Sequence, residues 1–183
     1  MRLRDDIADI PSLASDWQKI RVRSSMERRL LLEAAVWLGL ARVAIVIISF
    51  RKLASLLGLV QRNSAAAPDQ PLVTQPHEDA SALSTKIGWA VRSVALRIPR
   101  QSTCLTQTLA GAAMLRRRGL PCSLSLGIVK DTDGIAAHAW LRFGDVVLTG
   151  ANGHNRFTVI SDFVSSRPAR AGLPRGRRPI DSP

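Results

Sequence analysis

Tyrosine is absent from this 183-residue chain, and aromatic side chains make up only 4% of it. Binders of single-stranded nucleic acid interleave basic residues with aromatics on which bases stack. That class is therefore set aside, although the formal charge is +12. So large a charge suits an acidic peptide partner, an anionic membrane surface, or plain solubility. Cysteine is also scarce, with only Cys104 and Cys122, and the histidines are His77, His138 and His154. These residues form no close-spaced ligand pair, so neither a metal site nor a cofactor is expected. Nothing around Met1-Arg2-Leu3-Arg4-Asp5-Asp6 resembles a signal peptide, which points to a reducing cytoplasm and against a Cys104–Cys122 disulfide. Cys122, flanked by Pro121 and alternating apolar residues, reads as a small buried hydrophobe.

The chain is 46% hydrophobic and long enough for one compact core. It divides into an N-terminal helical region over 1–60, a linker over 61–80, a core over 81–165 and a basic, disordered tail over 166–183. Asp16-Trp17 can cap and anchor a short helix near the start. From Met26 to Leu59 apolar residues crowd together, and the window from Leu30 to Phe50 nearly reaches the length of a membrane span. Glu33 and Arg42 stand inside it, and each would cost about 2.5–3.5 kcal/mol near a bilayer centre. A buried helix, or two helices broken near Ser49, is the favoured reading. The alternative is a membrane-surface helix or a span whose Arg51 and Lys52 meet headgroups.

The linker is rich in Pro, Ala and small polar residues, and His77 within it reads as a solvated loop residue. Ser81 or Ser84 then opens a helix with Ile87, Val91, Val94, Ala95 and Ile98 at helical spacing, and Pro99 stops it. The tail carries Arg167, Arg170, Arg175, Arg177 and Arg178 among Pro and Gly, a solvated end or a tether for an acidic leader.

Residues 102–160 contain the one arrangement able to run a reaction. Ser102-Thr103-Cys104 opens a helix that continues through Leu105, Leu109, Ala112 and Leu115 and ends at Gly119 after three arginines. Cys104 falls in its first turn, where unpaired N–H groups and the helix dipole favour an anionic sulfur. Cys122 to Val129 alternates like a half-buried strand, and Lys130 to Gly134 is a turn. A hairpin follows: Ala136 to Phe143, a Gly144-Asp145 turn, and Val146 to Thr149. The strand after the helix must fold back along it, which brings His138 near the helix start, where an imidazole can take a thiol proton.

Cys104-Leu105-Thr106-Gln107-Thr108-Leu109-Ala110, Met114 to Pro121, Leu126-Gly127-Ile128-Val129, Ala137-His138-Ala139-Trp140-Leu141 and Arg156 to Ile160 together resemble the lasso-peptide biosynthesis B2 proteins. Those are leader peptidases of the transglutaminase-like cysteine protease superfamily. The resemblance implies an α+β fold: N-terminal helices plus a papain/transglutaminase-like core in which a Cys-bearing helix packs on a small antiparallel sheet. It implies a cysteine peptidase that removes the leader of a ribosomally made precursor, with Cys104 as nucleophile and His138 as base. The implied partners are the precursor leader, a separate small leader-recognition protein and an ATP-dependent cyclase that closes the macrolactam.

Many relatives carry an Asp twelve residues after the His, and that position here is Gly150. Asp145, at the hairpin tip, lies too far from His138 to orient it, roughly 20 Å at ~3.3 Å per residue. Asn152 is the candidate orienter, with a backbone carbonyl or another Asp as competitors. The Cys104 backbone N–H is the candidate oxyanion donor, with Gln101 as a second. His154 reads as a loop residue between Gly153 and Asn155. Gly150 also leaves room for a second reading, a leader-binding scaffold of the same pathway that has lost catalysis.

Overall fold

In a computed structural model of the chain, the described residues are 24–62, 78–98, 103–131 and 134–165. The helix expected at Asp16-Trp17, most of the linker with His77, Gln101 and the tail beyond 165 lie outside them.

The apolar crowd from Met26 to Leu59 forms two helices and a strand. Helix α1 spans Ser25–Ile47, with Ser24 as N-cap accepting the Glu27 N–H at 3.3 Å. It ends in a β-branched run, Ile45 to Ile48, which fits a helix poorly, and Ile48 and Ser49 take extended backbone before α2 (Phe50–Leu56) begins. Of the two readings, one buried helix or two broken near Ser49, the broken one is present. Strand β1 (Leu59–Arg62) follows, so Gln61 and Arg62, expected in the linker, belong to the sheet instead. Leu59 is buried in the main core, which gives the strand a reason to form that a polar, Ala-rich continuation hides.

Helix α3 spans Glu78–Ala95 and opens earlier than Ser81, with Glu78 and Asp79 in its first turn, where acids suit the helix dipole. Helix α4 spans Cys104–Arg117, and the expected strands are β2 (Ser123–Asp131), β3 (Gly134–Phe143) and β4 (Val146–Thr149). A short 3-10 turn (His154–Arg156) leads into β5 (Thr158–Ser165). The five strands are ordered β1-β5-β2-β3-β4, and every pairing is antiparallel. The mixed helical and antiparallel architecture is the expected α+β class.

One core joins these elements. Leu30, Ala34, Leu38 and Ala41, one face of α1, are buried together with Ile87, Ala90 and Val91 of α3 and Leu109, Ala112, Met114 and Leu115 of α4. Leu124 of β2, Leu141 and Phe143 of β3, Leu148 of β4 and Phe163 of β5 close it from the sheet side. The N-terminal helices are thus part of the same core as the sheet.

The Glu33 side chain is largely turned away from solvent, at 17% exposure. It bridges α1 to the end of α4: Arg118 Nη2 donates at 2.6 Å and Nη1 at 3.1 Å, with Arg117 Nε 3.6 Å away. The Arg118 hydrogen bonds and charge, joined by Arg117, hold the Glu33 carboxyl below its ordinary value of 4.5 against partial burial. A depressed carboxylate pKa contributes stability that is full above the unfolded value and is lost as pH falls through the folded one. Glu33→Gln is therefore expected to cost about 1–3 kcal/mol at neutral pH. The gap to wild type should close as pH drops below about 4.5, read from urea midpoints across a pH series.

Candidate active site

The site lies where the start of α4 meets the far end of the β3–β4 hairpin. Thr103 caps α4: its Oγ1 accepts the Thr106 N–H at 3.3 Å and lies 2.8 Å from Thr106 Oγ1. Cys104 is the first helical residue, half-buried, with its backbone N–H among those that no intrahelical carbonyl can reach. Cys104 and His138 line the same cleft of about 410 Å³, together with Arg92, Gln107, Gly150 and Asn152.

His138 reaches that cleft from β3, opposite Gly127 of β2. Its ring stacks on Phe157, with centroids 4.9 Å apart, and more loosely on Trp140 at 6.1 Å. A side chain at position 127 would push into this stack, since a Cβ there would stand 2.8 Å from Phe157 Cβ and 2.9 Å from the Trp140 ring. The ring is held at its other edge by a hydrogen bond of 2.9 Å between Nε2 and the Gly150 carbonyl. A carbonyl oxygen only accepts, so neutral His138 carries its proton on Nε2 and keeps the lone pair on Nδ1.

The hairpin that leads to Gly150 loses its simple register. Phe143 pairs with Val146 and Arg142 with Val147, but Leu141 pairs with Thr149, leaving Leu148 as the extra residue of a bulge. The freed Leu148 carbonyl accepts from Arg92 Nη1 of α3. Beyond Thr149 the chain turns through Gly150 at φ +73°, a conformation that side chains other than glycine rarely adopt. A Cβ at 150 would stand 2.3 Å from the Ala139 carbonyl and 2.9 Å from Trp140 Cα. The backbone itself rules out an Asp at this position.

The other candidates separate clearly. Asn152 lines the cleft but is exposed, and the hydrogen-bond partner of the imidazole is the Gly150 carbonyl, the competing reading, not the Asn152 side chain. Asp145 sits at the turn between β3 and β4, as expected. Asp162 on β5 accepts from Ser125 Oγ at 2.8 Å and lies 3.6 Å from Arg62 Nε, so it is engaged away from the ring. His154 is half-buried, with Nδ1 2.8 Å from the Ala151 carbonyl, and its ring lies 5.9 Å from Trp140. Among the described residues no group of histidines, cysteines and acids could hold a metal ion. Both cysteines are free thiols.

Sequence reasoning missed the threonines. Thr106, Thr108 and Thr149 are essentially fully buried. Thr108 Oγ1 donates to the Cys104 carbonyl at 2.7 Å and lies 3.4 Å from Thr149 Oγ1, which must supply the proton of that second contact. Thr149 precedes Gly150, so a buried thread runs from the backbone of Cys104 to the residue that holds His138. Two threonines inside a helix were the available signal, because hydroxyls there compete for backbone carbonyls and need a reason to stay.

The fold and the site together define a class: a helix-borne thiol facing the same cleft as a strand-borne imidazole, on an antiparallel sheet backed by helices. The profile of the transglutaminase-like superfamily matches residues 44–162, well over half of the chain, and the chain belongs to that superfamily. Cysteine proteases are common members of it. The match begins inside α1, ahead of the expected core boundary at 81. No curated protein and no solved structure matches the chain.

Two outcomes are expected. Cys122 is only 4% exposed and burial pushes its thiol up to about 12, so iodoacetamide near pH 8 should add one label to the folded chain, at Cys104. A second label should follow only in denaturant, as counted by mass. Gly150→Asp should destabilise the fold by roughly 3 kcal/mol or more. A variant that melts with wild type would contradict the clash at Ala139 and Trp140.

Proposed function

We propose that this protein is a cysteine peptidase that removes the leader from a ribosomally made lasso-peptide precursor before macrolactam formation. The observation that carries the chemistry is the shared cleft of Cys104 and His138, with the imidazole pinned through Nε2 on the Gly150 carbonyl. His138 Nδ1 takes the thiol proton as Cys104 Sγ attacks the carbonyl carbon at the end of the leader. The Cys104 backbone N–H donates to the oxyanion. The proton passes from Nδ1 to the leaving amine of the core peptide as the C–N bond breaks, leaving a thioester that water then hydrolyses. The Gly150 carbonyl keeps the ring in one tautomer throughout, the task that an Asp or Asn side chain performs in other Cys–His sites.

The lasso-peptide assignment rests on the resemblance of residues 100–160 to B2 proteins, and it brings the partners named above: the precursor leader, a small leader-recognition protein and an ATP-dependent cyclase. Expected behaviour is loss of all precursor cleavage in Cys104→Ala. A fall of about 10²–10⁴-fold is expected in His138→Ala. Both are read by mass after incubation of the cognate precursor, the small protein and this chain. Asn152→Ala should retain most activity. If Cys104→Ala processes precursor as well as wild type, the protein is the inactive leader-binding scaffold instead.

A further inference from the structure

Helix α1 has a second face that the core does not use. Leu32, Val36, Leu40, Val43, Val46 and Ile47 are 53–79% exposed, on the side opposite Leu30, Ala34, Leu38 and Ala41. An apolar stripe of this length seldom stays bare on a water-soluble surface. It continues past the helix end into a cleft of about 540 Å³ lined by Ile47, Ile48, Lys52 and Leu56.

By length and composition α1 could cross a bilayer. Its inner face forbids that arrangement. Spanning would strip Leu30, Ala34 and Leu38 from their packing and carry the Glu33–Arg118 pair into hydrocarbon. A helix so anchored can only lie along a surface, offering its outer face.

The charges around the stripe select the surface. Arg28 and Arg29 near its start, Arg42 beside it, and Arg51 and Lys52 beyond its end are all exposed. The acids of the same helix do not balance them, since Glu33 turns inward to Arg118 and Glu27 stands alone in the first turn. A second copy of this chain on the same face would press these cations together. An anionic bilayer would neutralise them while it takes up the apolar stripe.

We propose that α1 docks this protein on an anionic lipid surface, its outer face at the boundary of headgroups and acyl chains and its flanking cations at the phosphates. The docking does not depend on the peptidase reading. The test is co-sedimentation of the full chain with phosphatidylglycerol–phosphatidylcholine vesicles and with pure phosphatidylcholine vesicles. Binding is expected to the anionic vesicles alone, and to weaken sharply when salt is raised to about 0.5 M. The triple variant Val36→Ser/Leu40→Ser/Val43→Ser should lower partitioning by about tenfold or more. Arg42→Glu/Lys52→Glu should act the same way, and both variants should keep the wild-type circular dichroism and melting. A wild-type chain that stays in the supernatant, as monomer or dimer, overturns the proposal. So does undiminished binding by the folded triple variant, which would mean that charge elsewhere is responsible. Resistance to both salt and alkaline carbonate would mean a true span and would overturn it as well.

Discussion

The immersion of α4 in the core is the constraint on which the rest of this molecule depends. A helix whose middle is Leu109, Ala110, Gly111, Ala112, Ala113, Met114 and Leu115, all buried, has no free side to drift toward. Its small residues let α1, α3 and the sheet approach closely, and Gly111 sits directly beneath Leu141 of β3. Because the body of the helix is fixed, its first residue is fixed too. The position of the Cys104 thiol is thus a packing result, achieved by apolar residues that do not line the cleft.

From that fixed point the hydroxyls of Thr108 and Thr149 connect the helix to the end of β4. There the backbone carbonyl of a left-handed glycine holds the imidazole. It fixes the tautomer and the tilt of His138, but it carries a dipole rather than a full negative charge. Aromatic stacking on Phe157 supplies the remaining restraint on the ring.

Helix α1 serves two environments at once. Its inner face completes the core around α4 and is clamped by Glu33 to Arg118. Its outer face is nearly as apolar and is ringed by cations. The two faces explain why the segment resembles a membrane span in composition while behaving as an integral wall of the domain.

Much of this was legible from the chain alone. The capping threonine before Cys104, the arginines and Gly119 after it, the alternation of β2 and the Gly144-Asp145 turn are local signals, each set by backbone hydrogen bonding or period within a few residues. They yield the α+β class and place Cys104 and His138 on the helix and the strand whose ends line one cleft. Strand β1 carries no local signal because what makes it a strand is distant: Leu59 enters the core, and residues 59–62 pair with residues 162–165 a hundred positions away. Only the tertiary structure decided what orients His138. A bulge at Leu148 shifts the hairpin register, the space around Gly150 excludes any side chain, and the Gly150 carbonyl lies 2.9 Å from His138 Nε2. Sequence determines which groups are available and how each segment prefers to run. Which of them come within 3 Å of one another is set by register and packing, which belong to the whole chain.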